Sequence, residues 1–322
     1  MLDGFSMQLH DQNAIISILE DSRLSFIPKG NKVQAKYKGL YLSYTPQTYR
    51  LWIRGSFHKF YNDNKHNAND FTFDDYLLVL KELYNDLSID PSTTTIHSIE
   101  IGVNINLPYA PEILINSILM YKNKFPINEN HGIRFKFKQY EIKLYSKSSQ
   151  CSSLKLDNNI RFEVKFRKML KFRKDIGFVR TLDDFLNKDL WLKAGYYLIS
   201  ILDKLLVVNL FDKNIDIKSM SSNEYKSFLL LTNPNQLRLL KGSSLSRAKS
   251  KLKRLLKKYS RIDIIEDFRI LLLKKIVLRL LSIKKQDLHC FNHIDEEVNQ
   301  FFFLENMKSI IENPCYYISD TC

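Results

Sequence analysis

Residues 96 to 105, IHSIEIGVNI, decide the fold class by their alternation. Ile99, Ile101, Val103 and Ile105 fall on one side of an extended chain, and Glu100, Gly102, Asn104 and Asn106 fall on the other, because successive side chains of a strand point to opposite faces. Such a pattern marks a sheet with one buried and one polar face. Two later segments read in the same way. In 140 to 147, Ile142 and Leu144 mark the core side, while Lys143, Tyr145 and Lys147 share the polar side. In 160 to 167, Ile160, Phe162, Val164 and Phe166 are apolar, with Arg161, Glu163, Lys165 and Arg167 opposite. If the three strands are neighbours, Glu100, Glu163, Tyr145 and Lys143 converge on one face. Gly102 lacks a Cβ and would let a ligand or a backbone approach that face closely.

The surrounding chain supplies the rest of such a sheet. MLDGFSMQLHD at the start reads as a first strand. Residues 37 to 60 alternate around Thr45-Pro46-Gln47, with Leu40, Leu42 and Tyr44 on one face, then Tyr49, Leu51 and Ile53 opposed by Arg50, Trp52 and Arg54, the pattern of an antiparallel hairpin. Thr72 and Asp75 form a capping-box pair ahead of Leu77, Leu80, Leu83, Tyr84 and Leu87, so a helix is expected over 74 to 87. Pro111 opens a second helix, and 133–147 and 159–168 are expected as two strands. The order β-β-β-α-β-α-β-β implies an α+β domain, an antiparallel sheet covered by helices on one face. Thr181 and Asp184 open a largely helical remainder with helices expected over 188–208, 222–231, 245–259 and 263–283. The expected organisation is an α+β domain over 1–180 followed by a helical, basic domain over 181–322.

A chain of 322 residues can bury a sizeable core. Its net charge of +14 is concentrated: residues 241 to 261 hold nine Lys or Arg and no acid, and 161 to 174 hold seven against one Glu. An excess of this kind favours a polyanionic partner. The four cysteines, Cys151, Cys290, Cys315 and Cys322, show neither CxxC spacing nor the framework of a small secreted domain, and they read as reduced thiols in a cytoplasm. The N-terminus has no basic region ahead of an apolar run, so no signal peptide is expected. ILLLKKIVLRLLSI at 270 to 283 is too short and too interrupted by Lys274, Lys275 and Arg279 to span a bilayer.

Four phrases, in order, carry a resemblance. They are GSFHKFYNDNKHN from Gly55 to Asn67, IHSIEIGVNI at 96 to 105, YEIKLYSKSSQ at 140 to 150, and IRFEVKFRKM at 160 to 169. Together they resemble the replication initiators of filamentous phages, of the gene II/gene X type, and their plasmid relatives. The likeness spans roughly residues 34 to 175 and weakens toward 260. Glu100 stands where that family usually has Asp, and the His-hydrophobic-His metal motif of the broader HUH nuclease class is absent.

The converging side chains have the parts of a strand-transfer site: carboxylates for Mg²⁺ or Mn²⁺, a tyrosine nucleophile, and lysines to bind phosphate and favour the phenolate. The bland alternative is the solvated charged face of a half-buried sheet. The resemblance implies an HUH/Rep-like fold and a rolling-circle initiator in the bacterial host cytoplasm. Such an enzyme acts on single-stranded origin DNA, joins its tyrosine to the 5′ end, frees a 3′-hydroxyl and works with host replication proteins. The expected catalytic residues are Tyr145, Lys143 and Lys147, with Tyr140 as the alternative nucleophile although its parity favours the core. Glu100, Glu163, Asn104 and His66 are the expected metal ligands. Arg54, His58, Lys59, Arg161, Lys165 and Arg167 are expected to contact DNA. So are Lys249, Lys253, Arg254, Lys257 and Lys258, on a basic helix that with its successor resembles a helix-turn-helix in outline. Tyr196 and Tyr197 sit on another expected helix and read as core. The competing readings are an origin-binding protein that does not cut and a basic protein of membrane surfaces or RNA.

Overall fold

Alternation builds a ten-stranded sheet, antiparallel at every described pairing, in the computed structural model, which describes residues 1–210 and 214–280. Its strands are β1 (Leu2–Leu9), β2 (Ile27–Lys29), β3 (Lys32–Tyr37), β4 (Leu40–Thr45), β5 (Arg50–Ser56) and β6 (Thr95–Asn106), then, past β7 (Ile118–Tyr121), β8 (Ile127–Glu129), β9 (Gly132–Lys136), β10 (Tyr140–Ser146) and β11 (Asn159–Phe166). Strand β7 pairs instead with β12 (Leu205–Val207) in a separate ribbon. Across the sheet the order is β2-β3-β4-β5-β1-β6-β11-β10-β9-β8, which makes β6, β11 and β10 consecutive neighbours. The condition for convergence is therefore met. In register, Lys143 faces Glu163, Tyr145 faces Arg161, and Glu163 faces Gly102.

The helices are α1 (Gln12–Glu20), α2 (Phe57–Tyr61), α3 (Phe73–Leu87), α4 (Pro111–Ser117), α5 (Lys147–Gln150), α6 (Met169–Asp175), α7 (Lys188–Leu202), α8 (Ser222–Thr232), α9 (Pro234–Leu239), α10 (Gly242–Tyr259) and α11 (Ile264–Leu280). The apolar face of the sheet is covered by α6, α7 and α11. Phe166 of β11 meets Phe172 of α6 and Tyr197 of α7 with ring centroids 5.1 and 5.4 Å apart, and Phe162 meets Phe268 of α11 at 6.0 Å. Trp191 of α7 ties in α3 through Phe73 and Tyr76. The opposite face of the central strands is left for a site.

Helix α3 begins at the expected capping box: Thr72 accepts from the Asp75 N–H, and the Asp75 carboxylate accepts from the Thr72 N–H. Elsewhere the expectations need correction. Residues 133–147 are two strands, because the chain reverses where the Phe137 N–H donates to the Tyr140 carbonyl at 2.9 Å. The helix expected over 188–208 stops at Leu202, and its last residues extend instead as β12. Asp184 accepts from the N–H groups of Arg180 and Thr181 ahead of a short 3-10 turn, and Asn187 is the side chain that caps α7. The expected residues 281–283 of the last helix, and Cys290, Cys315 and Cys322, lie outside the described residues.

A second core forms beside the sheet. Met120, Leu206, Phe228, Leu237, Leu245, Leu252 and Leu255 pack the β7–β12 ribbon against α8, α9 and α10. The helical remainder is thus of two kinds: α7 and α11 belong to the sheet's covering layer, and α8 to α10 enclose their own interior. Residues Met1–Ser282 form one compact unit, and the division expected near 180 falls within it. Among the described residues no helix is long and apolar enough to cross a membrane.

Candidate active site on the open sheet face

Three carboxylates meet on the open face, and one of them comes from a strand whose parity was not read in the sequence. Strand β1 lies between β5 and β6, and its register with β6 shifts between Leu2 and Phe5. The shift turns both Asp3 and Gly4 toward the open face. Asp3, Glu100 and Glu163 each offer an oxygen within 4.8 Å of the others. A Cβ on Gly4 would lie 2.2 Å from Glu100 Oε2, so the Glu100 carboxylate occupies the space that the missing side chain leaves. Gly102 has a related role: a Cβ on it would come 2.7 Å from the Glu163 Cβ, so the space left by its missing side chain is filled by Glu163.

Cations hold this triad together. Arg161, 1% exposed, pairs with Asp3 and with Glu163 (2.6 Å) and donates to the Asn104 side-chain Oδ1 at 2.9 Å. Lys143 reaches Glu163 at 2.9 Å and Glu100 at 3.8 Å, and Lys165 reaches Glu100 at 2.9 Å. Ser56 and Asn67, both from the GSFHK…HN segment, donate to Asp3. Burial alone would raise the Asp3 carboxyl, but the Arg161 charge and these hydrogen bonds bring it down to about 2. Glu163 is likewise depressed against the effect of burial, by Arg161 and Lys143. Glu100 moves the other way: burial and the Glu163 charge raise it despite the two lysines.

A raised Glu100 beside two ionised carboxylates is a site short of positive charge. Three hard oxygen donors in reach of one another suit Mg²⁺ or Mn²⁺, and Lys143 and Lys165 are long side chains from the cavity wall that can yield to an ion. The donor set fits a divalent cation.

Tyr145 borders the triad. Its hydroxyl donates toward Glu163 Oε2 at 3.4 Å, and the Lys147 ammonium lies 5.6 Å from its ring. Burial first, then the Glu163 charge, raise the Tyr145 phenol above its ordinary value. Lys147 donates to the side-chain oxygens of Asn67 and Gln150, each at 2.7 Å, and burial together with Arg161 lowers it. Tyr145, Lys143, Glu100, Glu163 and Asp3 line one cavity of about 910 Å³, which also holds Lys147, Arg54, Lys59, Lys165, Arg167 and His66.

Other expected site residues lie elsewhere or are already engaged. Tyr140 is buried on the core side and stacks on Phe137 with centroids 4.6 Å apart, as its parity implied. Asn104 donates to the carbonyls of Asn67 and Asn69 and accepts from Arg161, so its amide braces the loop over the site and has no role to spare as a ligand. His58 is buried and stacked on Phe71, its Nε2 2.7 Å from Asn69 Oδ1; burial lowers it to about 3, so it is a neutral strut and not a DNA contact. Arg161, expected to contact DNA, has its guanidinium spent inside the triad. His66 lines the cavity with a buried Nδ1 that has no hydrogen-bond partner.

The basic helix has fewer free charges than its sequence suggests. Lys249 donates to the Lys122 carbonyl and to Asn123, and Lys258 pairs with Glu224 at 2.9 Å. Lys253, Arg254 and Lys257 are exposed. The helix-turn-helix outline is corrected by packing: Phe268, Leu272 and Ile276 bury α11, so it offers no free recognition face on that side.

No protein-family profile matches the chain, and no curated protein matches it in sequence. A solved structure described as a rolling circle replication initiator protein from Geobacillus stearothermophilus is similar at 12% identity and a TM-score of 0.42, over 66% of this chain and 89% of that one. At that distance, any functional reading rests on the site itself and on the four phrases.

Proposed function

We propose that the protein is a metal-dependent DNA-nicking and strand-joining initiator of rolling-circle replication, with Tyr145 as nucleophile. The observation that carries this reading is the Tyr145 hydroxyl beside Glu163 at the edge of a three-carboxylate cluster, inside a cavity that seven Lys or Arg also line. The phrases shared with the filamentous-phage initiators support it, since the segments they cover supply Ser56, Asn67, Glu100, Tyr145 and Glu163.

In this reading the Tyr145 oxygen attacks the scissile phosphorus, the bond to the 3′ oxygen breaks, and the 5′ phosphate stays on the tyrosine. The phenolic proton goes to Glu163, which Arg161 and Lys143 keep ionised, and the same proton, returned from Glu163 through solvent, reaches the departing 3′ oxygen and makes it a hydroxyl that can prime synthesis. Lys143 and Lys165 hold the phosphate oxygens. Asp3, Glu100 and Glu163 would hold a divalent cation, which supplies charge neutralisation of the phosphate. Lys147 and the Asn67 loop fix the position of the tyrosine.

A non-catalytic origin binder is favoured by one observation: the Tyr145 phenol is raised, not lowered, as the site stands. The two readings separate on a labelled single strand from the intergenic region of the protein's own element, incubated with and without Mn²⁺ and resolved on a denaturing gel. The nicking reading expects an SDS-resistant protein–DNA band that requires metal, is abolished by Tyr145→Phe, and leaves binding intact. Binding without cleavage or adduct, on a strand shown to contain the origin, would establish the non-cutting protein instead.

A further inference from the structure

The cavity does not end at the carboxylates. It continues across the open face past His97 and Ser98 of β6 and Ser6 of β1 to Arg54 of β5 and Tyr41 of β4, the last two on the far side of β1 from Tyr145. Here the sheet presents rings. Trp52, on the same face as Arg54 by strand parity, is half-buried and lies against His97 with centroids 4.5 Å apart. Arg54 sits 6.0 Å from the Trp52 ring. Tyr41, opposite Arg54 in register, is 57% exposed and carries Lys36 at 5.2 Å from its ring. Burial keeps His97 below its ordinary value, with His10, Arg173 and Arg50 adding to the effect, so its ring is a neutral stacking surface near neutral pH.

Charge sorts the possible occupants. Seven Lys or Arg line the cavity against three carboxylates, and all three carboxylates belong to the triad and are ion-paired. The ring-bearing end has cations and no carboxylate lining it. A surface of half-exposed rings and unopposed cations suits a polyanion with free flat faces. Single-stranded nucleic acid has both, whereas duplex hides its base faces.

We infer that Tyr41, Trp52 and His97 form a stacking platform on which single-stranded DNA lies as it leads to Tyr145. The choice of DNA rests on the initiator reading; the single-strand geometry rests on the rings and charges. From Tyr41 on β4 to Tyr145 on β10 there are five strand spacings, about 24 Å at ~4.8 Å each. That is long enough for several nucleotides, in keeping with site sizes of about 4 to 16 for such platforms.

The chain offers a direct probe. It has two tryptophans, and Trp191 is 1% exposed in the core, so a fluorescence change on binding reports Trp52. The full-length protein is titrated with a ten-residue oligothymidylate in EDTA, following tryptophan emission and, independently, the anisotropy of a labelled strand. The expected result is quenching that tracks binding. Trp52→Phe should bind within about twofold and lose the quench, while Trp52→Ala and Tyr41→Ala, with unchanged circular dichroism, should each bind on the order of tenfold more weakly. Binding without quenching, equal quenching by a duplex of the same length, or tighter binding of oligouridylate would overturn the inference. Metal-dependent nicking by a protein whose Trp52 is unquenched would sink the platform and leave the initiator reading standing. Quenching without any adduct on origin DNA would do the reverse.

Discussion

Replacing Arg161 by methionine removes a fully buried guanidinium and leaves Asp3 and Glu163 facing each other without it. Breaking a buried pair in this way costs about 3–5 kcal/mol, so Arg161→Met should lower Tm by roughly 10 °C, and adding Asp3→Asn to it should recover part of the loss. Thermal melts of the single and double variants check this. The two outer carboxylates should respond to pH in opposite senses. Asp3 is held at about 2, below its ordinary 3.8, so its stabilisation is present above about pH 4 and is lost as pH falls from 4 to 2; Asp3→Asn should flatten that acid limb. Glu100 is raised, so its ionisation costs stability as pH rises through its folded value. Glu100→Gln should therefore melt at or above wild type at neutral pH, and the upward Tm shift that Mn²⁺ is expected to give the wild type through the proposed site should be lost in it. A Glu100→Gln protein that keeps that shift would remove Glu100 from the ligand set.

At the scale of elements, strand parity carried most of what could be read in advance. It assigned Glu100, Lys143, Tyr145 and Glu163 to one face from three segments alone, and neighbouring strands then brought them together. Parity gives the face but not the depth. Arg161 and Lys165 share one face of the same strand, yet the first is buried against Asp3 and against Asn104, which braces the Asn67–Asn69 loop, while the second is open, a difference made by residues far away in sequence. Asp3 was hidden for a related reason, since the register shift after Leu2 that aims it at the triad has no local sequence signal. The β9–β10 hairpin was missed because FKQ, at 137–139, contains no Gly, Pro, Asn or Asp to announce a turn. Close strand packing makes one element-level outcome testable. Gly102→Ala would press a Cβ to 2.7 Å from the Glu163 Cβ and 3.0 Å from the Phe162 carbonyl oxygen, where backbone cannot yield cheaply. An overpacking cost of about 1–3 kcal/mol is expected, together with weaker Mn²⁺ binding as Glu163 is displaced. Denaturant melts and metal titration of Gly102→Ala measure the two effects separately.

For the whole molecule, the question is whether the sheet can stand without the helices that follow it. A boundary near 180 would make residues 1–180 a self-sufficient nicking domain. The packing argues for a different division, because α7 and α11 roof the apolar face that Phe162 and Phe166 present. Trp191, Leu198, Ile201, Leu202, Phe268, Leu272 and Ile276 are all at most 2% exposed, and full burial of such side chains is worth about 1.5–3 kcal/mol each. Their combined loss, about 10 kcal/mol or more, equals the whole stability of an ordinary domain, about 5–15 kcal/mol. Arg279 of α11 adds a buried tie, donating to the Gly102 carbonyl directly beneath the triad. A fragment of residues 1–180 is therefore expected to be insoluble or to melt without cooperativity. Circular dichroism melts and tryptophan emission of that fragment beside the full-length chain decide it. A 1–180 fragment with a sharp transition and metal-dependent nicking would mean that the helices after residue 180 serve the DNA and not the fold.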